Sequence, residues 1–194
     1  MLDDVLEHPE VVSASPEEQE HLEIASLFAA AGQPGKARLW LEAYRTEVPE
    51  EDRVDNDSRS RLKAVEAAIA LAGGDAREAI RLLREIPEIV PDCKLCGLAE
   101  LGEAFEVAAM PDSAVVAFEE YLEKDVLFRS QFDNPRLHRV LLGLGRAYEA
   151  MDQPGRAVDS YNRLLNLWSG ADGSLQPRIN QIRARVGALT EESP

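Results

Sequence analysis

The sequence predicts an all-α protein built from about four helical hairpins with a helix closing the C-terminal end. Three observations carry that prediction. The chain of 194 residues is 45% hydrophobic but only 6% aromatic, and alanine and leucine outweigh the β-branched residues, so summed propensity favours helix over strand. A short phrase, Gln-Pro-Gly-basic-Ala, stands at residues 33–37 and again at 153–157, and such self-similarity is the signature of a repeat architecture. Finally, Gly-, Pro- and Asp-rich clusters recur between apolar stretches: "GQPG", "GGDA", "AMPDS" and "DQPG", each a chain-reversal signal.

Aligning on the alanine after each cluster gives Ala37, Ala79, Ala114 and Ala157, separated by 42, 35 and 43 residues. One period of about 34 with insertions between units accounts for these separations. Twelve residues before each alanine stands a small residue: Ala25, Ala67, Gly102 and Gly145. Four residues after it stands a large one: Leu41, Leu83, Phe118 and Tyr161. Phe28, Ala70, Phe105 and Tyr148 recur nine before it, and Tyr44, Ile86, Tyr121 and Leu164 seven after. Facing small residues let paired helices approach closely, and large residues fill the space beside them. Each unit therefore reads as a helix, a tight turn and an antiparallel helix, with repeats at about 18–51, 60–93, 95–128 and 138–171. In the turns, proline in the first turn of the second helix loses no intrahelical bond, and glycine tolerates the reversing backbone angles.

The flanks differ in character. Residues 1–17 place Leu2, Val5 and Leu6 at helical spacing before Pro9, then Ser15 and Pro16 as a helix start, which reads as the tail of a preceding repeat in a longer array. Residues 174–190 set Ile179, Ile182, Val186 and Leu189 on one face. That pattern suits a capping helix over the last apolar face, followed by a tail at 191–194. The insertion "EEDRVDNDSRS" reads as a solvated loop, and "DVLFRSQFDNPRL", with Phe128 and Phe132, as an extension of the neighbouring helices or a plug between units three and four.

The spacing and residue types resemble the tetratricopeptide repeat. "LAELGEAFEVAAMPDSAVVAFEEYL" and "LLGLGRAYEAMDQPGRAVDSYNRLL" carry its L-G-x-x-[YF] and A-x-x-x-[FY] patterns. Units one and two depart from it, with Ala25 and Ala67 in place of glycine, yet keep the late prolines Pro49 and Pro91. The resemblance implies a right-handed α-α superhelix, a solenoid whose first helices line a groove for a peptide or partner protein. Carried over position by position, that groove takes Leu22, Ser26, Ala29 and Ala30 from unit one and Arg61, Ala64, Ala68 and Leu71 from unit two. Unit three supplies Cys96, Ala99, Glu103 and Glu106; unit four supplies Arg139, Leu142, Arg146 and Glu149. The cationic set with which some family members clamp a C-terminal carboxylate is absent. The chain also resembles, in texture, the C-terminal arrays of bacterial serine/threonine kinases and transcriptional regulators. That likeness implies a sensing or scaffolding segment of a larger regulatory protein.

Charge and motifs bound the function further. A formal net charge of −15 argues against a nucleic-acid partner, which demands a dense basic stripe. No apolar run approaches the roughly 18 residues of a membrane span, and the N-terminal residues lack a secretory pattern. The default location is cytoplasmic, or extracytoplasmic if a span precedes the chain. Cys93 and Cys96 form the sole C-x-x-C, open to three readings: packing thiols, a disulfide in an exported chain, or a metal or thiol-redox site. His8, His21 and His138 are scattered and read as structural. No phosphate loop or catalytic motif appears, so neither an enzyme nor a cofactor is expected. Two functions follow: an interaction scaffold binding a protein or peptide, and a small acidic chaperone shielding an exported partner. Self-association through the cap is left open.

Overall fold

In the computed structural model, residues 21–125 and 129–191 are described, except for the side chains of residues 131, 132, 134 and 135. The readings of residues 1–17, His8, Phe128, Phe132 and most of the tail lie outside that description. The described residues form nine α-helices and no strand: α1 His21–Ala30, α2 Pro34–Glu47, α3 Asn56–Ala72, α4 Ala76–Ile89, α5 Leu98–Val107, α6 Pro111–Glu123, α7 Arg129–Ala150, α8 Pro154–Leu167 and α9 Gln176–Glu191. Short 3-10 turns stand at Glu50–Asp52 and Gly173–Leu175. The chain divides after Pro91 into two compact units, α1–α4 in the first and α5–α9 in the second.

Within each unit the helices pack as pairs, α1 on α2, α3 on α4, α5 on α6 and α7 on α8, with α9 against α8. The four aligned alanines, Ala37, Ala79, Ala114 and Ala157, are each 0% exposed. They sit where the paired helices touch, so even one methylene more would part the helices. The small residues opposite, Ala25, Ala67, Gly102 and Gly145, are buried as well.

The choice between glycine and alanine there follows the large residue of the second helix. A Cβ on Gly102 would lie 2.3 Å from Phe118 Cε1, and one on Gly145 would lie 2.3 Å from Tyr161 Cε1. Both rings are buried, so they cannot swing aside. Where the partner is the aliphatic Leu41 or Leu83, the position carries Ala25 or Ala67. Units one and two thus depart from the glycine pattern as matched pairs. Gly143 adds a second close approach on α7: its Cβ would lie 2.6 Å from Phe118 Cζ.

All four intra-hairpin turns use one geometry. Five residues before each aligned alanine the backbone is left-handed: Gly32 (φ 70°), Gly74 (φ 84°), Ala109 (φ 55°) and Asp152 (φ 56°). The amide of that residue donates to the carbonyl three back, as in Gly32 to Ala29 at 2.9 Å, and the next amide reaches five back, as in Gln33 to Phe28 at 2.9 Å. This is the Schellman closure of a helix C-terminus. The next residue, Gln33, Asp75, Met110 or Gln153, is already the N-cap of the following helix. Three of those helices start on proline, whereas α4 uses Asp75, whose side chain accepts from the Glu78 amide at 3.0 Å. In the twice-written phrase, Gly35 and Gly155 are helical, so the reversal falls on the residue before the glutamine and not on the phrase's own glycine.

Helix α7 begins at Arg129 and runs through Pro135, upstream of the start at 138 that the repeat frame suggests. Its first turns are held to α6. The Arg129 guanidinium pairs with Asp133 one turn on (2.9 Å), donates to the Tyr121 carbonyl (3.0 Å) and lies over the Tyr121 ring. The Tyr121 hydroxyl donates to Asp133 (3.1 Å).

Candidate functional site

In unit one the first-helix face is shallow. Ser26 and Ala30 are exposed, Arg61 pairs with Glu23 across α1 and α3, and Ala64 and Leu71 are half-buried. Leu22 and Ala29 belong to the core, because α1 turns those positions inward against α2 and α3, and Ala68 packs on the same core from α3. Leu22 is therefore a packing residue and presents no surface to a ligand.

A cleft of unit one, about 700 Å³, is lined from α3 by Lys63, Glu66, Ile69, Ala70 and Gly73. At about 100° per residue these lie on the side of α3 opposite Arg61, Ala64, Ala68 and Leu71. Its walls are a lattice of paired charges: Arg45 with Glu42 (2.6 Å) and Glu66 (2.8 Å), Lys63 with Glu85 (2.8 Å), and Arg81 with Glu78 (2.7 Å). Most of the charge on that surface is already paired.

In unit two the acidic α5 and basic α7 positions meet each other. Glu100 accepts from Arg136 Nε at 2.8 Å, Glu103 pairs with Arg139, and Glu106 takes Arg146 Nη2 at 2.9 Å. Glu149 continues the row by accepting from Arg185 Nε of α9 at 2.6 Å. Each pair joins a residue to one 36 or 40 positions later, the step from one first helix to the next. The groove is thus a ladder of ion pairs rather than an acidic stretch followed by a basic one.

Burial raises the carboxyl of Glu103 above the usual range despite Arg139, with Glu100 and Glu106 pushing the same way. For Glu149 burial also disfavours the charge, but hydrogen bonds from Arg185 and Tyr161 win, and its pKa falls below the usual value. Burial, with Arg139 and Arg178, lowers His138, whose ring lies 6.4 Å from Trp168.

Beside the ladder, α7, α8 and α9 enclose a cleft of about 460 Å³. Leu142, Arg146 and Glu149 line it from α7, Tyr161 and Trp168 from α8 and the residue after it, and Arg178, Gln181, Ile182 and Arg185 from α9. Ile179 and Leu189 of α9 are buried, so one face of that helix covers the core while another forms a wall. Sequence reasoning assigned α9 only the covering role. The sequence signal for the other was Arg178, Gln181, Ile182 and Arg185 at helical spacing, legible only once Trp168 is seen beneath them.

Cys93 and Cys96 are joined in a disulfide just before α5, which excludes the free-thiol reading in this structure. Leu95 between them is buried, and Gly97 caps α5 in a left-handed conformation (φ 79°). Of the unit-three groove positions, Cys96 is therefore cross-linked and Ala99 buried. Among the described residues no cluster of three His, Cys, Asp or Glu side chains is arranged to hold a metal ion, and no helix is long and apolar enough to cross a membrane. His21 is buried, within 3.3 Å of Glu47 and edge-on to Trp40, a packing environment.

Hairpins of this kind, joined by ladders between first helices, define a tetratricopeptide-like helical repeat. The tetratricopeptide repeat family matches residues 139–170, most of α7 with α8. Two crystal structures of the nearly identical TPR-like repeats of a putative kinesin light chain from Podosopora anserina share the fold. One, of a form carrying a point substitution, has a TM-score of 0.59 at 19% identity over 91% of this chain and 86% of that one. The other has a TM-score of 0.54 at 17% identity over 93% and 98%. No curated protein matches the chain.

Proposed function

We propose that the protein is an interaction scaffold that holds a peptide or helix of a partner against the first-helix face of unit two. The observation that carries this reading is the cleft at the end of the ladder. Three of the four groove positions of the fourth repeat, Leu142, Arg146 and Glu149, open onto it together with the Trp168 indole. A concave, partly apolar site with a few fixed polar groups is the common form of a recognition surface, and tetratricopeptide repeats generally mediate protein–protein contact. The wider setting in this reading is a sensing or scaffolding segment of a larger bacterial regulatory protein.

Filling the cleft tests the reading. Leu142 is half-buried on its wall and also touches the unit-two core, so Leu142→Trp should remove partners recovered with the wild-type chain, with circular dichroism showing that the variant is folded. Partners retained by the folded variant would refute it.

A further inference from the structure

The ladder leaves one guanidinium over. Glu100, Glu103, Glu106 and Glu149 are matched by Arg136, Arg139, Arg146 and Arg185. Helix α9 contributes one more cation to the same cleft, Arg178, which has no carboxylate within ion-pair distance among the described residues. Its Cζ lies 5.9 Å from the centroid of the Trp168 ring, a cation–π placement. The lining residues include three guanidinium groups and one carboxylate, and with Glu106 on Arg146 the balance is three cations to two anions. The chain as a whole carries −15, but at physiological ionic strength charges beyond about 8 Å are screened. A ligand in the cleft therefore meets a local excess of positive charge. Next to that charge stand Leu142, Trp168 and Ile182.

We propose, resting on the scaffold reading above, that the cleft between α7, α8 and α9 selects an acidic segment of a partner polypeptide. An Asp or Glu carboxylate of that segment accepts from Arg178, and a neighbouring large apolar side chain enters against Leu142, Trp168 and Ile182. Arg146 and Arg185 would have to abandon Glu106 and Glu149 to do the same, so Arg178 is the residue that discriminates. The planar guanidinium is suited to this because it can present two parallel donors to one carboxylate. A basic segment would meet the unpaired Arg178, while Glu106 and Glu149 are already taken by Arg146 and Arg185.

The test is selection of a random-peptide display library on the immobilised full chain, followed by fluorescence anisotropy with a labelled enriched peptide. Enrichment of Asp or Glu beside Leu or an aromatic residue is expected. The enriched peptide should bind Arg178→Glu about tenfold more weakly or worse, and the control Arg183→Glu, on the same helix but outside the cleft, as tightly as wild type. Peptides without acidic character, or acidic ones indifferent to Arg178→Glu but lost on Leu142→Trp, overturn this assignment while leaving the scaffold reading intact. Peptides indifferent to both variants, or no enrichment at all, overturn both. A free carboxylate, phenylacetate, binding the cleft as tightly as the peptide would overturn a polypeptide occupant.

Discussion

Gly102 and Phe118 form a matched pair, and the match can be broken and repaired. Adding a Cβ at Gly102 places it 2.3–2.7 Å from three atoms of a ring that is 0% exposed. The helix-propensity gain of up to about 1 kcal/mol from Gly to Ala is therefore outweighed by overpacking. Gly102→Ala should be net destabilising by about 1–2 kcal/mol, read as a lowered denaturant midpoint. Adding Phe118→Leu recreates the Ala–Leu pairing of units one and two, and the double variant should recover much of the loss. A double variant no more stable than Gly102→Ala would show that the pairing is not what selects glycine. This level was partly legible in the sequence. The recurrence of small residues twelve before each alanine was visible, but the reason units three and four carry glycine there required the contacts of Gly102 and Gly145 with the opposing rings.

At the scale of the element, the left-handed residue closing each first helix is the most regular feature of the chain, and two of its four occurrences are not glycine. Ala109 and Asp152 hold φ 55° and 56°, a conformation that places Cβ against the following carbonyl at a cost of about 1–2 kcal/mol. Glycine takes it freely, at a smaller cost in the unfolded chain. Ala109→Gly should therefore raise stability by about 0.5–1 kcal/mol, measured by chemical denaturation, whereas Gly32→Ala should lower it. Effects of opposite sign and similar size would bear out the shared geometry, whereas a destabilising Ala109→Gly or a neutral Gly32→Ala would contradict it. Glycine at 32 and 74 announced the turn in the sequence; alanine and aspartate at 109 and 152 could not, because hydrogen bonding five residues back fixes the conformation there whatever the side chain. The start of α7 was hidden for a related reason. Pro135 looks like a break, but Arg129, Asp133 and Tyr121 tie the preceding turns to α6.

Over the whole molecule, one cluster of buried residues gathers around Ala25, Phe28 and Leu41 in the first unit and another around Leu141, Leu164 and Trp168 in the second. Repeat proteins open in local cooperative blocks rather than uniformly. Gly145→Ala, which drives a Cβ into the Tyr161 ring, should accordingly speed amide hydrogen exchange in α7, α8 and α9 while leaving α1 to α4 near wild-type rates. Uniform acceleration would indicate a single cooperative block. The all-α class and the hairpins were legible because small, large and turn residues recur at fixed offsets within 35–43 residues. The cleft was not, since it depends on Trp168 and α9 approaching α7, and no local period encodes that approach. The pairing of Cys93 with Cys96 was equally beyond spacing alone, which suits thiols, a disulfide or a metal site alike.

The covariation of glycine with a ring and of alanine with leucine bears on how such a chain can change by recombination. A first helix moved from the first hairpin to the third would carry Ala25 into the space that Phe118 occupies, and the reverse transplant would leave a gap beside Leu41. Exchange of a whole hairpin keeps each helix with its own counterpart and leaves only contacts such as that of Phe118 with Gly143 to be matched, whereas exchange below that level is opposed. The unit of inheritance in this chain is therefore the helix pair, although each helix alone looks interchangeable when only its apolar pattern is considered.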